Sequence, residues 1–176
     1  MTRRQTACAT VLGVLAVALP AYLISPALAA GARVTSGSLN ALPGAGANEP
    51  GIAGAAHLVR TSDGRTLLSL QVTGLRSGVT YGVHLHGAPC SATNPGGGHY
   101  KHDPSGAAQP PNELWGSSDP SDPMAGLTAN AAGNARGRGV ANWTAGVTAQ
   151  AVVIHAGFDH GGTAGGGPKL ACADLS

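Results

Sequence analysis

Residues 67–86, LLSLQVTGLRSGVTYGVHLH, indicate the fold class of this chain. They contain two short runs of strand-forming residues, 67–75 and 79–86, separated by the turn residues Arg76-Ser77-Gly78. In the first run apolar and polar side chains alternate, and this period of two predicts a strand with one buried face and one solvated face. The stretch is typical of a β protein.

The remainder of the chain repeats this pattern of short strands and frequent turns. Further strands are predicted over residues 52–60, 126–131, 137–143, 149–155 and 169–173. The 176 residues include 28 glycines and 12 prolines, a composition that favours turns over a helical bundle. The pattern and the composition together predict an all-β sandwich or barrel.

The first 29 residues have the composition of a signal peptide. Arg3 and Arg4 precede an apolar stretch over about 7–23, and Ala27-Leu28-Ala29 supplies the small residues that a signal peptidase requires. An uncleaved membrane anchor is the alternative interpretation. We expect an exported protein, secreted, periplasmic or in the cell envelope, with no membrane span in the mature form.

The rest of the chain is predicted to form a flexible N-terminal segment and one folded domain. Residues 30–51 are rich in small residues, and we expect a flexible N-terminal segment with at most one edge strand near Val34. Residues 52–176 are expected to form the folded domain, because their length suits a single hydrophobic core.

Charge and cysteine content narrow the classes of function. The formal net charge is +2 and only 10% of residues are charged, so the electrostatic case for a nucleic-acid partner is weak. Beyond the signal peptide the cysteines are Cys90 and Cys172, an even pair. A disulfide between them is the expected state in an oxidising compartment.

Four histidines are placed where a metal site can form. His84 and His86 flank one residue of a predicted strand, and the period of two directs both rings to the same face. His99 lies in a long glycine-rich loop, and His155 ends the most apolar predicted strand. Neutral imidazoles suit Cu(II), Zn(II) or Ni(II), and copper stands highest in the affinity order. We therefore predict a metal site.

These residues also carry a family resemblance. The motifs are Val83-His84-Leu85-His86-Gly87, Cys90, Gly98-His99, Val153-Ile154-His155 and Lys169-Leu170-Ala171-Cys172. In order and spacing, over about residues 52–174, they resemble the copper/zinc superoxide dismutases. The resemblance implies a Greek-key sandwich or flattened barrel of about eight antiparallel strands, with two long metal loops held by the Cys90–Cys172 disulfide. It also implies that the four histidines are copper ligands and that superoxide is the substrate.

The chain departs from the family at the zinc site. The loop after His99 offers His102 and Asp103 but no further histidines, so zinc is not expected and the chain resembles the copper-only branch. That branch implies that Glu113 orients the outer nitrogen of His99. By the same resemblance Asp159 holds the free nitrogen of His84. A solvated loop acid is the alternative interpretation for each carboxylate.

A second departure concerns the substrate path. Lys169 occupies the position where the family has an arginine. It keeps the positive charge that attracts superoxide but lacks the planar set of N–H donors that an arginine guanidinium provides. The family implies that His99 carries a proton during turnover. We expect a copper-dependent superoxide dismutase, with a copper-binding or copper-buffering protein of little turnover as the alternative. A copper donor protein is a candidate partner in both cases.

Overall fold

The computed structural model describes residues 31–45, 49, 51–157 and 167–176. The predicted signal peptide and Asp159 lie outside these residues. The strands of the described part are β1 Arg33–Ala41, β2 Ala53–Arg60, β3 Thr66–Thr73, β4 Thr80–His86, β5 Leu127–Thr128, β6 Ala135–Ala141, β7 Ala151–His155 and β8 Lys169–Asp174. None of the described helices is long and apolar enough to cross a membrane.

The strands form one antiparallel sheet that curls into a nearly closed barrel. The order of neighbours is β5-β4-β7-β8-β1-β2-β3-β6, and the end strands β5 and β6 contact each other. Because β3 pairs with β6 and β4 pairs with β7, the connections cross the barrel ends as in a Greek key. The predicted all-β fold of about eight antiparallel strands is confirmed.

Alternating side chains build the barrel core. In β3, Leu68, Leu70 and Val72 are buried, whereas Ser69, Gln71 and Thr73 are exposed, as the period of two predicts. β4 and β7 differ, because almost every residue in them is buried. The long loop after β4 covers their outer face, and the buried side chains of that face include His84, His86 and His155. The metal-site residues therefore lie between the barrel wall and its loops.

Part of the segment 30–51 belongs to the barrel. Residues 33–41 form strand β1, which pairs with β2 along its length and with β8 only near its end, at Asn40 and Ala41. Leu39 on the inner face is 1% exposed. A Cβ at Gly37 would lie 1.8 Å from the backbone oxygen of Asp174, so glycine permits the close approach of β8. The apolar pattern of this strand is weak because small residues occupy the inner face.

The predicted disulfide joins the loop after β4 to the final strand. The Sγ atoms of Cys90 and Cys172 are bonded, and the backbone N–H of Cys90 donates to Asp174 Oδ1 at 2.7 Å. Residues 90–99, which include His99, are thereby anchored beside β7 and β8. A disulfide is consistent with an oxidising, exported compartment.

Candidate metal centre

The barrel wall and one loop bring the four predicted histidines together. His84 and His86 lie on β4, and His155 ends the neighbouring strand β7, where it pairs with Gly82 of β4. His99 enters from the covering loop, where it forms an isolated antiparallel bridge with His86. Two neighbouring strands and one loop therefore supply the four rings.

The ring nitrogens are close enough to share one ion. One ligand atom from each histidine lies within 4.8 Å of the other three. His86 Nε2 and His155 Nε2 are 3.2 Å apart, and the ring centroids of His84 and His99 are 4.1 Å apart. In the described part of the chain this is the one group of three or more candidate ligands that meets such a criterion. The four histidines can hold a metal ion.

The outer nitrogens of three rings are hydrogen-bonded to oxygen. His86 Nδ1 donates to the Gly97 carbonyl at 3.2 Å, and His155 Nδ1 donates to the Gly167 carbonyl at 3.1 Å. His99 Nδ1 donates to Glu113 Oε2 at 2.9 Å. Because carbonyl and carboxylate oxygens only accept, each bond places the ring proton on Nδ1 and leaves Nε2 with a free lone pair. Metal-binding histidines are usually oriented in this way.

His84 provides the test of whether a metal fits. Its Nδ1 is buried and has no hydrogen-bond partner among the described residues. A buried polar atom without a partner costs about 1–3 kcal/mol, and most such atoms in folded proteins are satisfied. A metal ion held by the other three histidines would accept this lone pair. The donor set and the unsatisfied nitrogen both fit a metal.

The surroundings keep the rings neutral. Burial lowers the pKa of His84 well below its ordinary value, and the other histidines of the cluster lower it further. Burial likewise lowers the pKa of His86 to about 2 and that of His155 to about 4. A histidine must be neutral to bind a metal. These three rings are therefore ready to act as ligands at neutral pH.

Glu113 is hydrogen-bonded to the outer nitrogen of His99, and Trp115 donates to the same carboxylate. Glu113 is 3% exposed, and its Oε2 accepts from both His99 and Trp115 Nε1, the latter at 2.7 Å. Its Oε1 is buried without a hydrogen-bond partner among the described residues. The Trp115 ring also packs against the His84 ring, with ring centroids 4.9 Å apart. The sequence does not predict this contact, because Trp115 lies in a loop without periodicity.

Lys169 is held by the loop rather than directed into open space. Its Nζ donates to Asn94 Oδ1 and the Pro95 carbonyl at 2.7 Å each, and to the Gly97 carbonyl at 2.5 Å. A lysine ammonium has three N–H donors, so these bonds use all of them. The Gly97 carbonyl is also the acceptor of His86. Lys169 thus stabilises the loop backbone that orients a ligand.

The other candidates of the loop do not join the cluster. His102 is exposed and stacks on Trp143, with ring centroids 5.0 Å apart and an interplanar angle of 6°. The Asp103 carboxylate accepts from the backbone N–H and the hydroxyl of Ser105. Asp159, the residue expected to hold His84, lies outside the described residues.

Comparison with known proteins adds no family assignment. No protein-family model matches the chain, and no curated protein matches it.

Proposed function

We propose that the chain is an exported, copper-dependent superoxide dismutase with a mononuclear site. The observation that carries the proposal is the convergence of one ring nitrogen from each of four histidines within 4.8 Å. The order and spacing of these histidines and of the cysteines resemble the copper/zinc superoxide dismutases, and the barrel fold agrees with that resemblance. Function is inferred from the site, since one fold hosts many activities.

Copper is the metal that the donor set favours. Four neutral imidazoles suit Cu(II), Zn(II) or Ni(II), and Cu(II) stands highest of these in affinity. A bound copper ion would supply one-electron chemistry, taking an electron from one superoxide to release oxygen and giving it, with two protons, to a second superoxide to form hydrogen peroxide.

His99 is the residue best placed to carry a proton. Its side chain is 12% exposed, whereas the other three histidines are buried, so solvent protons reach it most readily. Glu113 holds the N–H at Nδ1, so a carried proton would lie on Nε2, the ring atom that would otherwise bind the metal. Glu113 also occupies the outer side of His99, where the zinc-containing members of the family place zinc.

Metal analysis combined with one variant pair tests the proposal. We expect one copper and no zinc per chain after purification, and superoxide removal far faster than that of free copper. His155→Ala should lose both copper and activity. His57→Ala is the matched control, because His57 is an exposed residue of β2 outside the cluster. Full activity in His155→Ala, or a stoichiometric zinc, would contradict the mononuclear copper enzyme.

One observation favours a second candidate, a copper-binding or copper-buffering protein with little turnover. All three Lys169 N–H donors are bound to Asn94, Pro95 and Gly97, so Lys169 has none left to donate to an anion. The charge of Lys169 still attracts superoxide at a distance. Copper-loaded, disulfide-intact protein distinguishes the two candidates, because a buffer would remove superoxide no faster than free copper.

A further inference from the structure

We propose that Trp115 is a positioning residue that orients two metal ligands, His84 directly and His99 through Glu113. The inference rests on the proposed metal-binding function and extends it to a residue outside the ligand set. Trp115 is 5% exposed and contacts both the His84 ring and the Glu113 carboxylate.

The backbone fixes the place of Trp115. The segment around it pairs with β4, since Leu85 N donates to the Leu114 carbonyl at 3.1 Å and Gly116 N donates to the Val83 carbonyl at 2.9 Å. Trp115 therefore faces His84 in an isolated antiparallel bridge. Side chains of directly opposed residues lie close together, so the ring contact follows from the register.

The indole N–H orients the carboxylate that orients His99. Trp115 Nε1 and His99 Nδ1 both donate to Glu113 Oε2, at 2.7 and 2.9 Å. An indole nitrogen can only donate, so this bond requires an acceptor oxygen at that position, which Glu113 Oε2 supplies. Without it, Glu113 could rotate its carboxylate, and His99 would lose the fixed acceptor that determines its ring orientation.

The indole ring restrains His84 by packing. The ring planes of Trp115 and His84 are inclined by 57°, a tilted arrangement that aromatic pairs favour. On another side His84 contacts the His99 ring at 4.1 Å. These two ring contacts restrain the His84 ring before metal binds.

Trp115→Phe is the informative variant, because it keeps an aromatic ring and removes the N–H. In the metal-free protein, we expect the His99 Nδ1–H to exchange with solvent about tenfold faster, measured by 15N-edited NMR. Cu(II) affinity, measured by chelator competition, should fall about 10- to 100-fold, the usual effect of losing such a partner. The Cu(II) electron paramagnetic resonance parameters should also shift.

Trp143→Phe is the matched control. Trp143 donates to the Pro111 carbonyl at 2.7 Å and stacks on His102, away from the cluster. It should leave His99 exchange and copper affinity unchanged. If His99 Nδ1–H exchange and Cu(II) affinity in Trp115→Phe equal those of the wild type, the proposal is overturned.

A double-mutant comparison tests the path through Glu113. If Trp115 acts on His99 through that carboxylate, Trp115→Phe should change His99 exchange little in a Glu113→Gln background. A full additional effect there would contradict the proposed path.

A further measurement covers the case in which Trp115→Phe fails to fold. In the otherwise native protein, Glu113→Gln should speed solvent exchange of the Trp115 indole N–H and leave that of Trp143 unchanged. Equal exchange of the Trp115 indole N–H in both proteins would overturn the proposal. The NMR measurements need no metal, so they stand even if the protein fails to bind copper, the result that would defeat the proposed function instead.

Discussion

At the residue scale, the bond between His99 and Glu113 is the contact that most affects the candidate ligands. The carboxylate is nearly fully buried, and its Oε2 lies 2.9 Å from His99 Nδ1. A carboxylate acceptor fixes the ring proton at Nδ1 and makes Nε2 a better electron donor. The single bond therefore sets both the orientation and the ligand strength of His99.

We expect Glu113→Gln to weaken Cu(II) binding about 10- to 100-fold, because the amide loses the negative charge that supports His99. Chelator competition at fixed pH measures the affinity. Asp103→Asn is the control, since the Asp103 carboxylate bonds Ser105 within the same loop. Equal copper affinity in Glu113→Gln and wild type would show that Glu113 does not support the site.

Tyr81 gives a prediction about stability that is independent of the metal site. Its hydroxyl lies in the core, donates to Glu49 Oε1 and accepts from the Arg76 N–H at 2.9 Å. Burial, aided by the bond to Glu49, raises the pKa of Tyr81 to about 12 from 10.0. The folded protein thus keeps a proton that the unfolded chain releases between these pH values.

The free energy of unfolding should therefore fall as pH rises from about 10 towards 12, by up to about 2 kcal/mol from this group. Below pH 10 both states keep the proton, and no dependence is expected from Tyr81. Urea unfolding at pH 9 and pH 11.5 measures the change for wild type and for Tyr81→Phe. The wild type should lose more stability than the variant, and equal losses would refute the assignment.

At the element scale, polar contacts to the backbone hold the loop that follows β4 and precedes Glu113. Lys169 at the start of β8 bonds three oxygens of residues 94–97. Gly96 in this loop has a φ of +74°, and a Cβ there would lie 2.6 Å from Val153 Cγ2 on the outer face of β7. Glycine permits this loop to lie flat over the buried face.

Replacing Lys169 by methionine should loosen this loop. We expect a loss of about 1–2 kcal/mol in the free energy of unfolding, since several loop acceptors lose their donor. Amide exchange at Gly96 and Gly97 should also rise. Lys101→Met is the control, because Lys101 Nζ makes one such bond, to the Gly106 carbonyl at 3.0 Å. Similar stability losses in both variants would contradict a special role for Lys169.

At the scale of the whole molecule, the disulfide and barrel closure hold the site together. Cys90 and Cys172 are separated by 82 residues, so the bridge closes a loop that contains four of the eight strands entirely or in part. A long closed loop restricts the unfolded chain strongly. The bridge therefore stabilises the fold and anchors the loop that carries His99.

The double variant Cys90→Ser, Cys172→Ser should lower the free energy of unfolding by about 4.5 kcal/mol, the value for a loop of this length. Urea unfolding of the variant and of the oxidised wild type at the same pH measures it. The metal-free proteins are compared, so that copper does not add its own stabilisation. A loss below about 1 kcal/mol in the free energy of unfolding would contradict a stabilising role for the bridge.

Some features of the fold and site follow from local patterns. The strand period of two places His84 and His86 on one face, and the alternation in β3 predicts which side chains are buried. The position of Glu113 beside His99 follows from the family resemblance rather than from periodicity. Where β1 lies, the sequence predicts only a possible edge strand near Val34, because a strand of small residues shows little hydrophobic signal until its neighbours are known.

What the sequence determined by itself was the all-β character, the shared face of His84 and His86, and the cysteine pair. These features can be read from the composition of the chain and from the backbone geometry of short segments. The tertiary structure alone decided that His155 and His99 meet them, that Trp115 reaches Glu113, and that the Lys169 donors bind the loop. Such contacts join distant segments, and they exist because barrel closure and the disulfide bring strands and loops together.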